Sequence, residues 1–182
     1  WEMPASMTQF FNPFFIILFG SIFSVMWVKL SKIGKNPSIP LKFCFGIVQL
    51  ALGFLLTQVG FQFVNEAYQV PILTLVFLYM LHTTGELFLS PIGLSMVTKL
   101  SPKSMAGTAM GAWFLSFAIA NYVGGKIASL TGGHGGEEAT SAESGLLQYL
   151  DTFATIGYVL LAIAAIIFIL NKPIQKLMHG VE

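Results

Sequence analysis

PILTLVFLYMLHTTGELFLSPIGLSMVTK, residues 71–99, is an almost wholly apolar or small-polar run with one carboxylate, Glu86, near its middle. A helix needs about 20 mostly apolar residues to cross a bilayer, so this stretch reads as a spanning helix with an acid inside it. Working outward, four more runs meet the same test, approximately residues 12–31, 42–63, 105–130 and 146–171. The expected fold class is therefore an all-α integral membrane protein of about five transmembrane helices. Composition agrees, with 55% hydrophobic and 9% charged residues, where a soluble domain carries about 25% charged.

Short polar connections separate the runs, marked by Pro37 and Pro40, by Pro71, by Pro102, and by a Gly-rich stretch over 131–145. Lys29, Lys32, Lys35 and Lys42 flank the first connection, Lys99 and Lys103 the third, and Lys172 and Lys176 lie in the tail. The second connection carries Glu66, and the fourth Glu137, Glu138 and Glu143. Lysine excess marks the cytoplasmic side, and five crossings put eight of the nine lysines on one face. The expected topology has the N-terminus outside, the C-terminus inside and the chain in the cell (inner) membrane. All nine basic residues are lysine and form no basic stripe, which argues against nucleic acid as a partner. Cys44 is the only cysteine, so no intrachain disulfide is possible. The chain opens on Trp1, Glu2 and Met3 with no basic leader, and reads as a piece of something longer.

Glu86 carries the most information. At 1.5 Å per residue it lies roughly 22 Å along its helix, near the bilayer midplane. An ionised carboxylate there costs about 3 kcal/mol on insertion scales, and such a residue is a functional-site hypothesis by default. Against this stands a buried, protonated glutamate bonding a neighbouring helix. Pro91, five residues on, removes a backbone donor and clashes with the carbonyl of Leu87, so a kink is expected beside Glu86. Ser90 lies one turn further along and His82 one turn back. His82 reads either as a proton-relay partner of Glu86 or as a neutral ring hydrogen-bonded inside the bundle.

Asn12-Pro13 reads either as a helix start, with asparagine as cap, or as a point inside a longer, kinked helix with the amide facing a cavity. Trp113, Phe117 and Asn121 form a stripe, either a pocket wall or plain packing against the third run. Gly46, Gly53 and Gly60 recur every seven residues along one helix face, and small residues bring membrane helices together. No phosphate-binding loop, metal-ligand cluster or nucleophile–base arrangement is visible, so neither catalysis nor a cofactor is expected.

The segment GELFLSPIGLSMVTKLSP, residues 85–102, resembles the tenth-helix signature of the proton-dependent oligopeptide transporters of the major facilitator superfamily. NPFFII, residues 12–17, is similar to their eighth helix; residues 110–116 with Asn121-Tyr122 are similar to their eleventh. The resemblance implies two six-helix bundles rocking around a central cavity, with this chain giving helices 8 to 12 of the second bundle. Glu86 matches the family's glutamate that receives the peptide's amino group, and Asn12 an asparagine at the same end. Ser90, Trp113 and Phe114 match the pocket lining. The implied partners are di- and tripeptides, protons, the lipid bilayer, and the N-terminal half and preceding helix of the same protein. A relative carrying nitrate, a drug or another solute, and a non-transporting membrane subunit, are the alternatives.

Overall fold

The computed structural model describes residues 5–131 and 142–178. A short turn α1 (Ala5–Thr8) precedes five long helices: α2 (Phe11–Lys32), α3 (Ile39–Phe61), α4 (Ile72–Leu100), α5 (Ala106–Thr131) and α6 (Ala142–Leu177). A single 3₁₀ turn, Lys103–Met105, leads into α5, and no strand occurs among the described residues. Four of the helices (α2, α3, α4, and α6 from Glu143) are both long and apolar enough to cross a membrane. The fifth, α5, has 26 residues, about 39 Å of helix, but is less apolar. Gly107, Gly111, Ser116, Asn121, Gly124, Gly125 and Lys126 interrupt its hydrophobic surface.

Several boundaries differ from expectation for identifiable reasons. Pro40, read as part of a connection, falls in the first turn of α3, where its missing N–H would have no helical partner anyway. Likewise α6 begins before residue 146 and continues through Pro173 to Leu177. Glu143, expected in a solvated loop, sits in the first turn of α6. There its carboxylate accepts a hydrogen bond from the Tyr68 hydroxyl of the α3–α4 connection at 3.1 Å. That hydrogen bond, reinforced by the negative charge, holds the Tyr68 phenol above its usual range. Glu137, Glu138 and most of the Gly-rich stretch lie outside the described residues.

α3 is the hub, with its broadest interfaces against α6 and α4. Its heptad glycines explain the second of these. A Cβ on Gly46 would stand 2.9 Å from the backbone oxygen of Gly85, and one on Gly85 would stand 2.8 Å from that of Gly46. Gly53 makes room for the His82 ring and Gly60 for Thr74. The regular spacing thus becomes a seam along which two backbones touch. Polar contacts fasten α3 to α6: Gln58 Nε2 donates to the Leu150 carbonyl at 2.8 Å, and Ser38 Oγ to Asn171 Oδ1 at 2.6 Å.

α2 packs on α4 through aromatic rings. Phe11, Phe15, Phe19 and Phe23 follow one another at four-residue steps, with ring centroids 6.4, 5.9 and 6.0 Å apart. Phe23 and Trp27 then both meet Phe88 of α4, edge on, at 5.1 Å. Each such pair contributes about 0.5–1.5 kcal/mol beyond its buried area. Below them the Lys42 ammonium lies 4.9 Å from the Trp27 ring centre. α5 is held lightly, by α4 and α6, and Cβ atoms on its four glycines would meet nothing within 4 Å among the described residues.

Candidate functional site

Glu86 is the middle residue of α4, fourteen positions from either end of Ile72–Leu100. The three residues before it are buried. Thr83 has no exposed surface, Thr84 is 7% exposed, and Gly85 lies against α3. Glu86 then emerges onto open surface, with no ion pair or hydrogen bond among the described residues. A rigid, buried turn therefore presents a carboxylate halfway along a membrane-length helix. Pro91 lies inside α4, which stays helical from Ile72 to Leu100.

Asn12 reaches this same level of α4. It is the second residue of α2, and no side-chain hydrogen bond caps that helix. Its Nδ2 instead donates to Thr83 Oγ1 at 3.3 Å. Thr83 lies eleven residues into α4, about 16 Å from its start. The beginning of α2 is therefore deep, with the α1 turn preceding it. The sequence leaves a capping and a cavity-facing asparagine both open; the side chain makes no capping bond and ties α2 to α4.

Ser90 is half-buried one turn beyond Glu86. Trp113 of α5 seats its indole on Gly93, two turns beyond Glu86, where a Cβ would come within 2.7 Å of ring atom Cζ2. Phe43 of α3 reaches the same notch. Phe114, the neighbour of Trp113, is 59% exposed on open surface. His82 turns the other way, toward α3. Its ring lies 4.5 Å from that of Phe54, and Nε2 is buried without a partner among the described residues. No hydrogen bond joins His82 to Glu86 among the described residues. Thr83 was not singled out by sequence reasoning. A threonine in an apolar helix has no signature of its own, and its partner lies 71 residues away. No group of three metal-binding side chains occurs among the described residues.

Long apolar helices, with Glu86 exposed halfway along one of them, make this a multi-pass membrane bundle. Residues 1–141 match the family model described as PTR2, POT family, and the chain belongs to that family. It is 37% identical over 165 residues to a dipeptide and tripeptide permease A of Edwardsiella piscicida, covering 91% of this chain and 33% of the permease. An uncharacterized transporter of Bacillus subtilis, YclF, is 33% identical over 181 residues, all of this chain and 34% of the relative. Among solved structures, a peptide transporter POT in complex with sulfate superposes with a TM-score of 0.76 at 33% identity, over 93% of this chain and 31% of that one. A POT family transporter in complex with 5-aminolevulinic acid gives a TM-score of 0.74 at 30% identity, over 90% and 30%. The chain thus spans about a third of the length of the relatives it matches.

Proposed function

We propose that this chain supplies the C-terminal half of the binding cavity of a proton-coupled symporter of di- and tripeptides, working by alternating access. The observation that carries the reading is Glu86, a carboxylate with no partner among the described residues, presented from a buried turn at the centre of α4. A peptide's ammonium entering a low-dielectric cavity needs a fixed anion, and the midplane is where a site exposed alternately to both sides has to lie. Asn12 adds a neutral polar group to the same level of α4; Ser90 and the Trp113 indole, with Phe114 beside it, line the space beyond. Proton, peptide ammonium and a cation from the other half compete for one carboxylate, which couples the proton to the peptide. His82 contributes packing against α3 in this reading. The remaining helices of the same protein complete the cavity.

Uptake by the full-length protein in vesicles tests it. An inward proton gradient is expected to drive labelled dipeptide accumulation, with unlabelled tripeptides competing and nitrate failing to compete. Nitrate uptake without peptide competition would place the protein among carriers of another solute; no uptake of any solute would favour a non-transporting subunit.

In the same reading, residues 31–41 and 100–104 face the cytoplasm and 131–145 face outside, as the lysine distribution requires. In a Cys44-free background, an impermeant thiol reagent added to sealed cells is expected to label Gly135→Cys and to spare Lys35→Cys. The reverse pattern would invert the topology.

A further inference from the structure

Two adjacent threonines of α4 use their hydroxyls differently. Thr84 Oγ1 donates back to the carbonyls of Met80 and Leu81 in its own helix, at 2.8 and 3.1 Å. That is the usual habit of a threonine inside a helix. Thr83, completely buried, has its oxygen occupied by Asn12 Nδ2 from another helix. With Nδ2 engaged there, Asn12 Oδ1 accepts no hydrogen bond among the described residues.

We infer that Thr83, one turn before Glu86 on α4, is a positioning residue for the amine end of the site, holding Asn12 by its Nδ2 so that Oδ1 remains available to accept. The inference rests on the proposed peptide reading. An ammonium has three N–H donors and no acceptor, so one carboxylate leaves donors that need neutral oxygens. An amide turned the other way would offer its own N–H₂ to the ammonium, donor against donor. The ammonium therefore selects the orientation with Oδ1 toward it, and that orientation requires an acceptor for Nδ2. A hydroxyl buried in the helix interface supplies it without competing for the amine, because it has no exposed surface. Serine keeps this acceptor; valine keeps nearly the same shape and removes it.

The test uses the full-length transporter and compares a free-amine dipeptide with its N-acetylated form. Thr83→Val is expected to raise KM for the free amine about fivefold, the worth of one neutral hydrogen bond, with Vmax retained. Thr83→Ser is expected to behave as wild type. KM for the acetylated peptide is expected to stay at its already poor value, and Thr83→Val added to Asn12→Ala is expected to cause no further loss, because both changes delete one interaction. Thr83→Ala, which leaves space rather than a bulky methyl, follows the same pattern should the valine variant fail to reach the membrane. An unchanged KM in Thr83→Val, an equal loss for free and acetylated peptides, or additive losses with Asn12→Ala would overturn the positioning role. Where Glu86→Gln is inactive and Thr83→Val silent, only this role falls; a Glu86→Gln protein that still accumulates peptides removes the amine site at Glu86, and a wild-type protein that takes up no peptide removes the peptide reading.

Discussion

In the full-length transporter, Glu86→Gln is expected to abolish proton-driven accumulation of di- and tripeptides while expression stays close to normal. Gln keeps the size and much of the hydrogen-bonding capacity of Glu but offers an ammonium no charge. Removing one partner of a buried ion pair costs about 3–5 kcal/mol, which corresponds to roughly two to nearly four orders of magnitude in affinity. Expression should survive because Glu86 emerges onto open surface and bonds no other described residue, so these helices lose no contact to one another. Asn12→Ala and Trp113→Ala each remove a neutral contact and should weaken uptake only severalfold. N-acetylation of the dipeptide should weaken binding to wild type and add little in Glu86→Gln, since the acetyl group and the amide delete the same attraction. Accumulation by Glu86→Gln, or additive losses in that cycle, would show that the amino group is held elsewhere.

The largest structural effect is expected at Gly85. A Cβ added there would meet the Gly46 carbonyl at 2.8 Å, and the obstacle is backbone, which cannot rotate away. Gly85→Ala therefore has to push α4 off α3, at about 1–3 kcal/mol for an overpacked site. Alanine's better helix propensity returns up to about 1 kcal/mol of that. Gly157→Ala, at the α3–α6 interface, meets chiefly the Leu55 side chain, Cγ at 2.8 Å and Cδ2 at 2.9 Å, with backbone no nearer than the Ala51 carbonyl at 3.3 Å. A side chain can move, so the loss there should be smaller. Thermal unfolding of the purified full-length variants in detergent checks the order. A Gly157→Ala loss equal to or above that of Gly85→Ala would contradict the backbone seam.

How much of this was readable beforehand depended on whether a signal was local. Spanning helices are local: a long apolar run at a stated length declares itself, and α2 to α4 follow it within a few residues. The heptad of glycines was legible as a face, although only the structure shows which atoms occupy each notch. Glu86 stood out because an acid in an apolar run is costly wherever the helix turns. The direction of a side chain was not legible. His82 sits one turn from Glu86 in sequence yet faces Phe54 of α3, because Gly53 opens a slot on that side. Thr83 left no trace, since its meaning comes from Asn12, and that contact exists only after α2 and α4 have packed. The four-residue rhythm from Phe11 through Trp27 was present in the sequence; its target, Phe88, was not.

The seam at Gly46 and Gly85 also bears on how the molecule responds to force. Where side chains separate two helices, the interface can creep by changing rotamers one at a time. Here the backbones themselves are in contact, and α3 is tied to α6 on its other side by Gln58 and Ser38. Such a three-helix slab resists stretching until it fails as a whole. Under load α3, α4 and α6 should therefore move as one body, and α5, which α4 and α6 hold only lightly, should be the helix that shifts against it.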